Sequence, residues 1–188
     1  MLRSTAVAAL FLVCFSAESA GADNDRFVPC TDAADFPELT GSQCLTTSMP
    51  LHHESPDGQS IDLSVRRFPA AETGKRRGEV WLVAGGPGEP GASLYPFLST
   101  FRKAFPHHDL VIPDHRGTGE SERLCPQQES LGSANGVALA GEEWGPCIGT
   151  LYADHGRASA FSITQAARDL SALLTRHRGD GEVVLYSV

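Results

Sequence analysis

Two glycine-bearing segments with the residue types of catalytic loops follow short apolar stretches of the chain. Residues 85–91 follow the apolar run 79–84, and residues 114–121 follow the run 109–113. The first segment combines paired glycines with prolines, and glycines let a backbone approach a substrate with no Cβ in the way. Acyl transfer needs main-chain N–H groups that are already aimed at the developing oxyanion. Residues 85–91 are therefore a candidate oxyanion loop.

A dinucleotide site is an alternative interpretation of the same loop, but its chemistry is wrong. Three glycines fall at the G-x-G-x-x-G spacing of that site: Gly86, Gly88 and Gly91. Such a loop binds pyrophosphate through free N–H groups at a helix N-terminus. Here Pro87 and Pro90 remove two of those donors, and Glu89 places a negative charge where phosphates would lie. The sequence therefore predicts no nucleotide cofactor, and no cofactor of another kind. An ordinary tight turn stays open as the structural alternative.

The two segments together resemble the loops of the prolyl aminopeptidase and tripeptidyl aminopeptidase branch of the α/β-hydrolases. Similar members carry H-G-G-P-G or P-G-G-P-G, followed by a D-x-R-G-x-G-x-S loop. The first motif here is Ala84-Gly85-Gly86-Pro87-Gly88, so alanine replaces the usual histidine or proline. The second motif begins at Asp114, and the resemblance covers residues 60–188.

By this resemblance, Gly86 would supply an oxyanion N–H, while Asp114 and Arg116 would brace the second loop rather than react. A permanently charged guanidinium can clamp carbonyls or a carboxylate but is a poor proton shuttle. The adjacent Asp114-His115 pair is not expected to be a catalytic dyad, because the carboxylate that orients such an imidazole usually comes from a distant segment. The remaining loop residues are structural: Gly85, Pro87, Gly88 and Gly117.

Alternating strand and helix signals predict an α/β fold, with a mostly parallel sheet and flanking helices. Residues 79–84, 109–113 and 182–186 have the apolar runs of buried strands, and residues 61–65 alternate as a half-buried edge strand does. Residues 94–105 have helical periodicity, and Ser162 with Gln165 forms a capping box for a helix ending near residue 177. Residues 124–160 are predicted to be a long loop. Ligands of such sheets bind at the carboxyl ends of the strands, where both glycine-bearing segments lie.

The apolar strand at residues 183–188 resembles the strand that leads into the nucleophile elbow G-x-S-x-G. Ser187 matches the first small position, so the nucleophilic serine is expected immediately after Val188. On this interpretation the chain is the N-terminal half of an α/β-hydrolase fold that stops before the elbow. It would be inactive by itself, because the nucleophile, the acid and the histidine are all absent. Ser187 is a poor substitute, since Leu185 stands where the elbow requires glycine.

The first 22 residues have the features of a secretory signal peptide. Arg3 gives a positive start, residues 5–15 are apolar but too short to span a bilayer, and residues 20–22 offer an A-x-A cleavage site. The predicted organisation is a signal peptide (1–22), an irregular N-terminal extension (23–58) and a partial α/β-hydrolase core (59–188). A secreted or periplasmic location follows, with no membrane-spanning segment.

Four cysteines remain after signal removal, and an even number in an oxidising compartment predicts two disulfides. They are Cys30, Cys44, Cys125 and Cys147. Of the three possible pairings, the sequence-local one is favoured, because each bond then closes a short loop. Zinc is not expected, because no C-x-x-C pair exists and the histidines lack ligand spacing around the cysteines.

The formal charge of −8 argues against nucleic acid as a partner. The predicted function is an exported serine hydrolase that releases N-terminal residues or short peptides, with a peptide or small ester as substrate. Glu89, beside the candidate oxyanion loop, could attract the α-amine of such a peptide. Two alternatives stay open: an esterase or epoxide hydrolase of the same fold, and a secreted binding module without catalysis.

Overall fold

The computed structural model describes residues 25–34, 36–86 and 88–188. Within them, one mixed sheet has the strand order β1-β2-β3-β5-β4-β6. The strands are β1 (Val28–Pro29), β2 (Gln43–Pro50), β3 (Ser60–Phe68), β4 (Gly78–Val83), β5 (His108–Pro113) and β6 (Glu182–Ser187). Strands β5, β4 and β6 are parallel, and β1, β2, β3 and β5 pair antiparallel in succession. The α/β class is confirmed, but the described sheet is mixed rather than mostly parallel, because only β5, β4 and β6 pair in parallel. Strands β4 and β5 are buried as predicted. The prediction of a third buried strand is wrong for β6, which lies at the edge of the sheet with exposed and half-buried residues.

Four α-helices flank the sheet in the described part of the chain: α1 (Leu98–Ala104), α2 (Trp144–Ala153), α3 (His155–Ala160) and α4 (Ile163–His177). Short 3₁₀ turns add Thr31–Ala34, Pro37–Leu39, Thr73–Lys75, Gly91–Phe97 and Gly141–Glu143. None of the helices in these residues has the length and apolarity needed to cross a membrane.

The core lies on both faces of the sheet because every residue of β4 and β5 is buried. On one face Trp81 and Val111 pack with Leu173 of α4. On the other face Val80 and Leu110 pack with the helix that follows β4. Alternate residues of β4 and β5 thus pack into the cores on opposite faces of the sheet. Because both faces are covered, these two strands have nearly continuous apolar sequences.

The description of residues 23–58 as irregular is wrong for residues 43–50, which form β2. Leu45, Thr47 and Met49 of this strand are buried, so the alternation exists, but small polar residues between them obscure it in the sequence. The prediction that β3 is an edge strand is also wrong. Because β2 pairs with it, β3 lies inside the sheet between β2 and β5.

Helices replace part of the long loop predicted for residues 124–160, where α2 and α3 form despite several glycines. The Asp154 side chain caps α3 by accepting a hydrogen bond from Arg157 N at 2.8 Å. The helix predicted at residues 94–105 begins as a 3₁₀ turn and becomes α-helical only at Leu98. Pro96 accounts for this, because it lacks the N–H that an α-helical hydrogen bond needs.

Helix α4 begins where predicted, and Ser162 Oγ accepts a hydrogen bond from Gln165 N at 3.4 Å. The second half of the expected capping box is wrong, because the Gln165 side chain does not return to Ser162. Its Oε1 accepts from His53 N at 3.0 Å, and its Nε2 donates to Glu54 at 2.7 Å. The start of α4 is therefore connected to the turn between β2 and β3.

Both disulfides have the sequence-local pairing, Cys30–Cys44 and Cys125–Cys147. The first attaches the N-terminal segment to β2, and the second attaches the loop after β5 to α2. The predicted signal peptide lies outside the described residues.

The C-terminal end of α4 makes stability dependent on pH through His177, whose side chain is 5% exposed. Burial lowers the pKa of His177, although Asp25, with Oδ1 3.3 Å from Nε2, raises it in part. The unfolded chain therefore takes up a proton first as the pH falls below about 6.5. Below about pH 6.5, we therefore expect protonation of His177 to decrease the free energy of unfolding by up to about 1.4 kcal/mol per pH unit.

The His177→Gln variant should lose that part of the pH dependence in urea unfolding between pH 7 and pH 5. The exposed His155→Gln variant is the control and should keep the wild-type slope. Equal slopes for His177→Gln and the wild type would contradict the assignment.

Candidate active site

The candidate site lies at the carboxyl ends of the parallel strands β4, β5 and β6. The first loop (residues 85–91) follows β4, and the second loop (residues 114–121) follows β5. Val83 pairs with Ser187 across β4 and β6, so the first loop begins beside the end of β6. The residues predicted to matter are therefore brought to one edge of the sheet, as parallel strands require.

Gly85 lies directly against the end of β6. A Cβ added to Gly85 would be only 2.1 Å from the Val188 carbonyl oxygen. No side chain fits between these two backbones, so the position demands glycine. This contact places the first loop next to the residue that follows β6.

The shape of the first loop depends on two further glycines. Gly86 has φ +127° and Gly88 has φ +87°, which other residues rarely adopt. A Cβ on Gly86 would also lie 2.7 Å from Gly88 N and 2.8 Å from Glu89 N. Glu89 N donates to Gly85 O at 3.3 Å, which closes the turn. Pro87, predicted to stiffen this loop, lies outside the described residues.

The Asp114 carboxylate joins the two loops. Its Oδ1 accepts from Gly91 N at 2.6 Å, and its Oδ2 accepts from Glu120 N at 2.9 Å. Burial raises the pKa of Asp114, while the two backbone N–H groups oppose that rise. One side chain thus fixes the end of the first loop and the turn of the second loop together.

The backbone of the second loop is anchored to β3. Asp114 N donates to Ser64 O at 2.9 Å. The Ser121 hydroxyl donates to Asp114 O at 2.8 Å and accepts from Ser64 N at 2.9 Å. The second loop therefore keeps a fixed position against a strand inside the sheet.

Two glycines of the second loop are required by its shape. A Cβ on Gly119 would lie 2.1 Å from the Asp114 carboxylate, and its φ is +55°. Gly117 has φ +84°, and a Cβ on it would lie 3.1 Å from the ring of Phe161. Both positions therefore favour glycine, as the motif predicts.

His115 does not form a dyad with Asp114. Its Nε2 lies 3.2 Å from Ala84 O at the end of β4, whereas the Asp114 oxygens accept only the backbone N–H groups described above. The imidazole therefore forms a second connection between the two loops.

Arg116 is buried and fully paired. Its guanidinium binds both oxygens of Asp169 on α4, with Nε–Oδ2 at 2.6 Å and Nη2–Oδ1 at 2.7 Å. The other N–H groups donate to main-chain carbonyls of Pro50, Leu51 and Ala160. The Arg116 side chain is 1% exposed, so it is not available to a substrate. This is a structural clamp between the second loop, α4 and the end of β2.

Asp169 is the site residue that the sequence analysis missed. It is buried, and its Oδ1 also lies 2.7 Å from His53 Nε2. The signal was present: Gln165, Asp169 and Leu173 share one helical face, which the structure buries. An acidic residue at a core position of an amphipathic helix indicates a buried cationic partner.

Glu89 lies beside Gly86. Its Cγ would be 3.3 Å from a Cβ built on Gly86, and its side chain is exposed. Among the described residues, its carboxylate has no ion-pair partner. A negative charge at the edge of the first loop is thus free to meet a ligand.

A metal centre has no support in the described part of the chain. The one group of potential ligands there contains Cys30, Asp32 and Cys44. Both of its sulfur atoms are joined in a disulfide, and Asp32 pairs with Arg66 at 2.5 Å.

No family model matches the chain. Among curated proteins, it is similar to serine protease Hip1 of Mycobacterium tuberculosis and of Mycobacterium bovis, at 29% identity over 165 residues. The match covers 79% of this chain and 31% of the relative, so the chain spans about a third of the length of the curated proteins it matches.

Among solved structures, an enantioselective mutant of the Aspergillus niger epoxide hydrolase matches with a TM-score of 0.43 and 16% identity. That match covers 80% of this chain and 30% of the other. A proline iminopeptidase-related protein from Thermus thermophilus matches with a TM-score of 0.28 and 23% identity, over 50% of this chain and 28% of the other.

The Asp114→Asn variant should lose one of the two hydrogen bonds that join the loops, because its NH₂ group would face the N–H of Gly91 or Glu120. We expect the free energy of unfolding to fall by about 1–3 kcal/mol, the cost of an unsatisfied buried polar group. Urea unfolding measures this loss, and hydrogen exchange should become faster at the unpaired amide.

The exposed Asp57→Asn variant is the matched control and should be neutral. The bridging role of Asp114 is refuted if Asp114→Asn is as stable as Asp57→Asn and its amide exchange is unchanged.

Proposed function

We propose that this chain forms the oxyanion-loop part of a serine hydrolase of the α/β-hydrolase type, with peptides as substrates. One observation carries the proposal: the backbone of Gly85 lies against Val188 at the end of β6, and Gly86 follows in a conformation that requires glycine. The similarity to serine protease Hip1 over 165 residues supports hydrolysis as the reaction class.

In the proposed reaction, a serine immediately after Val188 lies on the turn that follows β6. Its Oγ attacks the scissile carbonyl carbon while a histidine base accepts the hydroxyl proton. The carbonyl oxygen becomes negative and accepts hydrogen bonds from the Gly86 N–H and the N–H of the residue after the serine. When this intermediate collapses, the C–N bond breaks, the histidine gives its proton to the leaving amine, and an acyl-enzyme remains. Water then attacks the acyl carbon while the histidine accepts its proton, and return of that proton to the serine Oγ releases the carboxylic acid product. The base and its acid partner would be supplied by a longer polypeptide.

The loop geometry supports this role for Gly86, because an oxyanion donor must be held in place before the reaction. Asp114 fixes Gly91 at one end of the first loop, and His115 contacts Ala84 at the other end. Arg116 in turn holds the second loop on α4. These residues position the donor and do not react.

The finer proposal is an aminopeptidase that binds the free α-ammonium group of its substrate through Glu89. The Glu89 carboxylate is exposed, lies beside Gly86 and has no ion-pair partner among the described residues. An ammonium group bound there would lie close to the proposed oxyanion donor, which favours cleavage near a peptide's N-terminus.

We further propose that the protein is exported, with residues 1–22 as its signal peptide. The two disulfides support this location, because such bonds persist in oxidising compartments.

In a polypeptide that continues past Val188 with the proposed serine, a fluorophosphonate probe should react covalently at that serine, as mapped by peptide mass spectrometry. Gly86→Ala should reduce kcat for an amide substrate by about 10²–10³-fold, because it distorts the loop that presents the N–H. Gly145→Ala, in open space on α2, is the control and should keep the activity.

Labelling at a different serine would reject the proposed position of the nucleophile. An aspartate in place of the serine, with no labelling, would reject serine chemistry and favour the epoxide hydrolase alternative. Absence of labelling with neither a serine nor an aspartate at that position would favour a binding module.

The Glu89→Gln variant of the same longer protein should raise KM for free-amine peptides by about tenfold, the typical effect of removing a charge-assisted hydrogen bond. KM for the corresponding N-acetylated substrates should not change. In the control variant, Glu142→Gln at an exposed position, KM for both kinds of substrate should equal the wild-type value. An equal KM for free-amine peptides in Glu89→Gln and wild type would remove Glu89 from substrate recognition and leave the serine hydrolase proposal standing.

A further inference from the structure

A cavity of about 850 Å³ lies between the N-terminal 3₁₀ turns, the helix after the first loop and the second loop. Sites for small molecules commonly have volumes of about 300–1,000 Å³. Four separate parts of the chain form the wall: Asp32 with residues 36–39, Arg66 of β3, residues 92–102, and residues 114–120. The cavity is therefore a product of the folded structure and not of one local turn.

The wall can hold an apolar body. Leu39 and Leu98 form part of it and are each only 4% exposed. The rings of Phe36 and Tyr95 add aromatic surface, and Phe36 is 51% exposed. Aromatic faces contact both apolar groups and cations favourably. The guanidinium of Arg66 already lies 5.5 Å from the centroid of the Tyr95 ring.

The charges of the wall favour a cation. Arg66 is already neutralised by Asp32 at 2.5 Å and also donates to Ser42 at 3.0 Å. The carboxylates of Glu38 and Glu120 line the cavity without an ion-pair partner among the described residues. Arg102 is a lining guanidinium that lies 5.8 Å from the Phe68 ring centroid. Because Arg66 and Asp32 neutralise each other, the remaining charged side chains of the wall are three acidic ones and one basic one. They are Glu38, Asp114, Glu120 and Arg102.

Tyr95 provides a neutral polar group inside this wall. Burial raises the pKa of Tyr95 to about 12, and the nearby carboxylates of Asp114, Asp32 and Glu120 also raise it, although Arg66 lowers it. The phenol therefore stays protonated at neutral pH, and its hydroxyl can accept a hydrogen bond from a ligand N–H.

We propose that this cavity binds an organic cation with an apolar part, whose ammonium group pairs with a carboxylate of the wall, Glu120 or Glu38, and whose apolar part packs on Tyr95, Phe36 and Leu98. The proposal does not depend on the hydrolase activity, since none of these side chains is assigned to the reaction. A free amine or a lysine side chain of a peptide would supply the same chemistry.

Isothermal titration of the full chain at pH 7 tests the proposal with four probes. The two ammonium probes are phenethylamine, for a free amine, and Nα-acetyl-lysine amide, for a peptide side chain. The matched controls are neutral 2-phenylethanol and anionic 3-phenylpropanoate. We expect at least one ammonium probe to bind at least about tenfold more tightly than both controls, since charge-assisted hydrogen bonds are stronger than neutral ones.

Glu120→Gln should weaken the bound ammonium probe by about tenfold, and the exposed Glu142→Gln variant should not. Backbone amide NMR should show the largest ligand-induced shifts at residues 92–102 and 114–120. The proposal is overturned if neither ammonium probe binds, if the neutral or anionic probe binds as tightly, or if Glu142→Gln weakens binding as much as Glu120→Gln. Circular dichroism checks that each variant is folded, and Glu38→Gln replaces Glu120→Gln if the latter is not.

Discussion

The candidate site depends on one carboxylate, that of Asp114, which accepts the N–H groups of Gly91 and Glu120 at once. The two loops leave different strands, so a contact between them is needed to fix one against the other. A buried acceptor shared by both loops supplies that constraint. The glycines at 91 and 119 follow from it, because a Cβ at either position would press on Asp114 or its strand. The beginning of the first loop is placed separately, by the pairing of β4 with β6 and by the close approach of Gly85 to Val188.

A second constraint on the second loop is the pairing of Arg116 with Asp169 of α4 and with nearby main-chain carbonyls. All five N–H groups of the Arg116 guanidinium are used, two on Asp169 and three on main-chain carbonyls. A buried ion pair of this kind adds little net stability, because desolvation of both charges offsets their attraction. Its effect is geometric: α4 and the end of β2 are held at a fixed position against the loop. Removal of one partner would leave the other charge buried and unpaired, which is strongly destabilising.

The sequence predicted the elements with simple periodicity and the residues with a clear backbone requirement. The three parallel strands, the Ser162 cap and both disulfide pairs were predicted because apolar runs, capping chemistry and cysteine spacing act locally. The exposure of β6 was not predicted, because an apolar run does not show which elements cover it. Strand β2 was missed because its apolar alternation is incomplete. Thr47 occupies a buried position where an apolar residue is expected, and the residues between the buried ones are small and polar. Asp169 was missed because its partner Arg116 is distant in the sequence. The cavity near Tyr95 could not be predicted from the sequence, because residues from four separate segments form it.

A crystal structure of a polypeptide that continues past Val188, after reaction with a phosphonate inhibitor, tests the oxyanion role of Gly86 most directly. We expect a phosphonyl oxygen about 2.7–3.1 Å from the main-chain nitrogen of Gly86, the range of an oxyanion hydrogen bond. Asp114 should still accept the N–H groups of Gly91 and Glu120. A phosphonyl oxygen bound by other groups, with the first loop turned away from the end of β6, would contradict this role of Gly86.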